Sequence, residues 1–107
     1  MGRYKLLVMT NPTAGNDDAY NAWYSGQHLG DVLKIGDFVH ATRFKAVGSA
    51  GETAKWRYCA IYEMETDDVD AAIERLGKAA GGPDMPMSDA IDLGDLYMVA
   101  YEEIPPV

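Results

Sequence analysis

Apolar and polar positions divide the chain into short regular segments. The run from Tyr4 to Thr10 is apolar and partly β-branched, and Asn11-Pro12-Thr13-Ala14-Gly15 then supplies turn chemistry, which predicts a first strand ending at Thr10. Asn16 suits an N-cap, Asp17 and Asp18 suit the positive end of a helix, and neither Pro nor Gly intervenes before Gly26. A helix is therefore expected from about Asp17 to His28, with Leu29 to Leu33 adding a turn before Gly36 stops it. Phe38 to Val47 and Lys55 to Met64 read as a second and third strand, paired antiparallel across the polar link Gly48-Ser49-Ala50-Gly51-Glu52-Thr53. Thr66-Asp67-Asp68 caps a second helix in which Val69, Ile73, Leu76 and Ala80 recur at helical spacing, and Gly81-Gly82-Pro83 ends it. Asp84 to Gly94 is irregular, suited to a loop across a pocket mouth or a dimer seam, and Leu96 to Glu102 is the last strand before a Pro105-Pro106 tail.

The resulting order, β-α-β-β-α-β, is the ferredoxin-like split βαβ arrangement of the α+β class. Its four-stranded antiparallel sheet carries two helices on one face, and residues 1–107 form one domain without an internal repeat. The other face of so apolar a sheet is costly to leave in water, so a homodimer closed through that face is expected.

Composition narrows the function. Apolar types make up 48% and charged types 24% of the 107 residues, the balance of a packed globular chain. The net charge of -8 repels phosphate backbones and anionic lipid, which argues against nucleic acid or a membrane surface as partner. Leu6-Leu7-Val8-Met9 falls far short of the ~20 residues of a membrane helix and has no secretory cleavage pattern, so a cytoplasmic location is expected. The single cysteine, Cys59, allows neither an internal disulfide nor a thiolate metal cluster and reads as a small hydrophobe in a strand.

Candidate chemistry gathers on the first helix. Tyr20, Tyr24 and His28 fall at successive i, i+4 positions, with Trp23 and Gln27 beside them. A Tyr/Trp stripe is commonly core packing, but His28 has the side chain whose unperturbed pKa suits proton transfer near neutrality, so it is the expected general acid/base, with a buried core histidine as the alternative. On strand two, alternation places Phe38, His40, Thr42 and Phe44 on one face and Val39, Ala41 and Arg43 on the other, leaving His40 as pocket wall or dimer-face residue. Strand three separates Trp56, Tyr58, Ala60, Tyr62 and Met64 from Arg57, Cys59, Ile61 and Glu63 in the same way. Asn11 either orients a ligand carbonyl or shapes its turn, and Arg43 either grips a carboxylate or forms an ion pair.

Other chemistries find no support. The two histidines have no ligand spacing, the acidic stretch Glu63 to Asp70 reads as helix-capping charge, and no metal is expected. No glycine-rich loop precedes a helix and no Gly-x-Ser-x-Gly elbow occurs, which removes nucleotide cofactors and serine hydrolysis from consideration.

Asn11-Pro12, Tyr20-Asn21-Ala22-Trp23-Tyr24, Gln27-His28-Leu29-Gly30-Asp31-Val32-Leu33 and Gly36-Asp37-Phe38-Val39-His40-Ala41-Thr42-Arg43-Phe44 together resemble the EthD-like branch of the dimeric α/β-barrel superfamily. Relatives often have Pro soon after the His and another before the Gly-Phe strand, where this chain has Gly30 and Ile35-Gly36-Asp37. The resemblance implies a homodimer with a pocket between sheet and helices in each protomer, used in relatives for cofactor-independent oxygenation, polyketide cyclisation or lactone isomerisation. The expected activity is proton transfer by His28 on a small aromatic or polyketide-like substrate, of isomerase, cyclase or lyase type, with no cofactor. Tyr24 or Tyr58 would donate to a developing oxyanion, and Asn11, Trp23, Phe38, His40, Phe44 and Arg43 would bind the substrate. A cofactorless monooxygenase and a non-catalytic ligand-binding dimer are the alternatives.

Overall fold

The computed structural model describes residues 2–106. Strand β1 (Gly2–Thr10) is followed by a continuous helical stretch, residues 17–33, made of α1 (Asp17–Trp23), a π-helical turn (Tyr24–His28) and α2 (Leu29–Leu33). Then come β2 (Phe38–Lys45), β3 (Tyr58–Thr66), α3 (Val69–Ala79) and β4 (Tyr97–Tyr101). The sheet order is β2-β3-β1-β4 with every neighbour antiparallel, the ferredoxin-like arrangement.

Register decides which residues meet the helices. Leu6, Val8 and Thr10 of β1 lie opposite Tyr62, Ala60 and Tyr58 of β3, and Leu6 and Val8 lie opposite Ala100 and Met98 of β4. These residues form the helix-facing side, where Tyr20, Tyr24, Val32, Ala72 and Leu76 pack on them in one core. Burying rings of this size stabilises by roughly 1.5–3 kcal/mol each, provided their hydroxyls stay paired. Tyr20 Oη and Thr10 Oγ1 lie 2.5 Å apart, and Tyr62 Oη donates to Tyr24 Oη at 3.1 Å.

Two expectations about strand two need correction. The strand stops at Lys45, and β3 begins only at Tyr58, although Ala46 N–H still donates to Arg57 O at 2.8 Å, so the connection is longer and more exposed than a hairpin link. A bulge between Phe38 and His40 also breaks the alternation: Phe38 pairs with Met64, whereas His40 pairs with Glu63. Phe38 therefore shares the helix-facing side with Ala41 and Arg43, while His40, Thr42 and Phe44 occupy the open side. A bulge adds one unpaired residue and shifts every later side chain by one face, which simple alternation does not show.

The segment after α3 is better anchored than its composition suggested. Gly81 takes φ +85°, a left-handed value costly for residues with a Cβ, and turns the chain out of α3. Met85, Ala90 and Ile91 enter the core. Thr13 N–H donates to Ala90 O at 2.7 Å and Asp92 N–H to Asn11 O at 2.9 Å, which ties the loop to the β1–α1 turn. None of the helices in the described residues is long and apolar enough to cross a membrane.

Asp68 caps α3, its Oδ1 accepting from Ala71 N–H at 3.0 Å. Removing this acceptor orphans a first-turn donor, so Asp68→Ala is expected to lower unfolding free energy by about 1 kcal/mol, read from urea denaturation against wild type.

Candidate functional site

The site is built where the π turn faces β2 and β3. An α-helix advances about 100° per residue, so two residues five apart would point about 140° away from each other. The π turn closes a wider loop, with Leu29 N–H donating to Tyr24 O, and it places Trp23 and His28, five apart, one above the other. Their rings stack with centroids 4.6 Å apart and planes inclined by 27°. Tyr24 meets His28 edge to face at 4.9 Å, and Trp23 Nε1–H donates to Pro86 O at 3.2 Å, which fixes the 84–94 loop against the indole.

His28 is 8% exposed, and its Nδ1 has no hydrogen-bond partner among the described residues. An unpaired buried ring nitrogen costs about 1–3 kcal/mol, the kind of local deficit that functional sites retain. Burial holds the imidazole pKa down to about 4, with only partial compensation from the Asp31 carboxylate, so the ring is neutral at physiological pH.

Arg43 joins this box to a second group of aromatic residues. Its partner across the sheet is Ala60, whose small side chain between Tyr58 and Tyr62 leaves room for a guanidinium to lie over the helix-facing side. The guanidinium carbon sits 4.5 Å from the Tyr24 ring centroid, 5.3 Å from that of Tyr20 and 5.7 Å from that of Tyr58. Nη1 donates to Ser25 Oγ and Nη2 to Asn21 Oδ1, both at 2.9 Å. Tyr58 Oη donates to Asp17 Oδ2 at 3.0 Å and accepts from Asn21 Nδ2 at 3.3 Å. Hydrogen bonds from Arg57 and then Tyr58 hold the Asp17 carboxyl below the usual carboxylate range. Burial pushes the Tyr24 hydroxyl well up and that of Tyr62 up to about 12, so both remain protonated donors.

The structure thus brings together His28, Tyr24, Tyr58, Trp23 and Arg43, with Phe38 behind them in the core, edge to face with Tyr62 at 6.1 Å. It does not bring in the other three candidates. Both ends of the Asn11 amide are engaged by backbone, Nδ2 donating to Lys55 O at 2.9 Å and Oδ1 accepting from Arg57 N–H at 2.8 Å. His40, whose Nε2 lies 3.3 Å from Thr42 Oγ1, and half-exposed Phe44 are on the open side of the sheet. Sequence reasoning missed Asn21, Ser25 and Asp17 as partners of Arg43 and Tyr58; the four-residue spacing of Asp17, Asn21 and Ser25, a polar stripe beside the tyrosines, was the available signal.

No family model matches the chain, and no curated protein is detectably similar to it. Several solved structures share its fold. A candidate monooxygenase from Shewanella loihica PV-4 superposes with a TM-score of 0.65 at 11% identity, over 98% of this chain and 97% of that one. An EthD-like protein from Ralstonia eutropha JMP134 gives 0.63 at 19% identity, over 95% and 92%. HapK from Hahella chejuensis gives 0.58 at 14% identity, over 97% and 95%. At these identities the likeness establishes a common ferredoxin-like fold.

The depressed His28 pKa links protonation to stability. Between pH 6.5 and 4 the unfolded chain binds a proton at this position that the folded chain refuses, so stability falls as pH falls, by up to about 3 kcal/mol from this group. An NMR titration should place the His28 ring near pH 4, and the slope of unfolding free energy across that window should flatten in His28→Gln.

Proposed function

We propose that the chain is an EthD-like, cofactor-independent enzyme that transfers a proton on a small, planar, oxygen-bearing substrate, with His28 as the base. The observation that carries this reading is the neutral, unpaired Nδ1 of His28, held between Trp23 and Tyr24 next to a guanidinium-topped tyrosine cluster. The run of residues from Tyr20 to Phe44 supports membership of the EthD-like family, and the shared fold of an EthD-like protein agrees with it.

Because burial keeps the imidazole in its basic form, every molecule is ready to accept a proton at neutral pH. A pKa near 4 makes a weak base, but a negative charge developing on the substrate favours the imidazolium and raises proton affinity as the proton moves. Tyr58 and Arg43 supply the donors for that charge: the Tyr58 hydroxyl turns from Asp17 toward the substrate oxygen, and Arg43 adds a fixed positive charge. Trp23 supplies an apolar wall for a ring.

The test is carbon-bound hydrogen exchange in D2O, followed by NMR, on a panel of enolisable aryl ketones and phenols. Wild type should accelerate exchange on members that bind, and His28→Asn should reduce the rate about 10²-fold or more. Binding without exchange, indifferent to His28, would support an accessory ligand-binding role instead. The fold shared with a candidate monooxygenase favours one second reading, in which the deprotonated substrate reacts with dioxygen. Oxygen uptake matched to substrate loss identifies it.

A second copy of the chain is the proposed cover of the open side of the sheet, where Leu7 and Ile61 are flanked by exposed Phe44 and Val99. Ile61→Asp places a charge at the centre of that face and should convert a dimer to a monomer in sedimentation equilibrium, with the helix-facing core intact by near-UV circular dichroism.

A further inference from the structure

We infer that Arg43 is the carboxylate-binding element of the site, so that the substrate is an unsaturated or aromatic carboxylic acid bound as its anion. This rests on the reading of the cluster as the substrate site, and it adds the chemical class of the ligand.

The chain's use of its arginines sets Arg43 apart. There are four. Arg57 grips Asp17 through both terminal nitrogens at 2.6 and 3.3 Å, Arg75 bonds Asp37 through Nε and Nη2 at 2.9 and 2.6 Å, and Arg3 lies 3.5 Å from Glu65. Arg43 alone has no carboxylate within ion-pair distance among the described residues, although the chain carries 17 acidic residues. Its side chain is also partly buried, where an uncompensated charge costs more than on the surface.

What surrounds the guanidinium orients it without neutralising it. Ser25 and Asn21 each accept one hydrogen bond, and three tyrosine rings lie within cation–π distance. Two of the five N–H donors of the group are thereby used, which leaves enough for a two-pronged bond to a carboxylate. Asp17, the carboxylate that bonds Tyr58 in this cluster, is already held by Arg57 and Tyr58. Nor does the open side of the sheet supply a counter-charge, because Arg43 projects toward the helices. A planar acid with its carboxylate on Arg43 would have the partly buried Tyr58 ring beside it, a fit for a flat, unsaturated scaffold.

The experiment titrates the full chain with benzoate and with benzamide, its neutral isostere, by calorimetry and by ¹⁵N–¹H NMR. Benzoate should bind with shifts at Asn21, Ser25 and the tyrosines, benzamide at least about tenfold more weakly, and Arg43→Gln should weaken benzoate by at least about tenfold, the scale of a lost charged hydrogen bond. Arg43→Lys keeps the charge without the fork and should fall between the two. Equal binding of benzamide, unchanged benzoate binding in Arg43→Gln, or no saturable binding of benzoate would each overturn the inference. So would loss of self-association in Arg43→Gln, since the guanidinium would then be paired with a partner copy. If Arg43→Gln does not fold by near-UV circular dichroism, the benzoate to benzamide ratio in wild type and Arg43→Lys decides. Failure here leaves the proton-transfer reading to its own test: exchange that depends on His28 with no preference for benzoate removes only the carboxylate, and Arg43-dependent benzoate binding with exchange indifferent to His28 removes only the base.

Discussion

The wide turn from Tyr24 to His28 is the constraint on which the rest of the site depends. One extra residue inside a helical turn is unfavourable in backbone terms, yet here it is offset by an aromatic contact that an α-helix would forbid, Trp23 on His28, while Tyr24 keeps its place against the same ring. Because the helix continues through α2 on the far side, the imidazole is fixed from both ends, with its Nδ1 buried and without a partner among the described residues. The electrostatic character of the site follows from that burial: an imidazole held neutral on one side of Tyr24, with the Arg43 guanidinium over the ring of the same tyrosine.

Tyrosine joins the two halves. Four of the seven tyrosines, Tyr20, Tyr24, Tyr58 and Tyr62, lie between helix and sheet, where each ring contributes apolar area to the core and each hydroxyl enters a hydrogen bond. Tyr24 meets His28 edge to face and carries the Arg43 guanidinium over its ring, so one side chain contacts both groups. A Leu-rich interface would pack as well but would present no face for a guanidinium and no donor for an oxyanion.

Much of this was legible in the residues. The order of strands and helices follows from turn chemistry at Asn11-Pro12 and Gly81-Gly82-Pro83 and from the spacing of Val69, Ile73 and Leu76, all of which act locally. The stripe Tyr20, Tyr24, His28 was visible because four-residue spacing survives both kinds of helix. The π turn itself was not, since one added residue barely alters periodicity over so short a span; only the five-residue interval from Trp23 to His28 marks it. The bulge after Phe38 and the backbone duty of Asn11 were hidden for a different reason. Both are settled by partners some 25 to 45 residues away, Met64 and Glu63 for the bulge and Lys55 and Arg57 for the amide.

That bulge has an effect on how the molecule can change over time. Beyond it, alternate residues of one strand serve two separate surfaces: Ala41 and Arg43 look inward, His40, Thr42 and Phe44 outward. Point substitutions can therefore alter the helix-facing side and the open side independently, position by position. Deletion of Val39 would remove only the bulge and leave both sets in place, whereas deletion of Thr42 would move Arg43 to the open side and Phe44 inward, so the strand tolerates a change of length at the bulge but not beyond it.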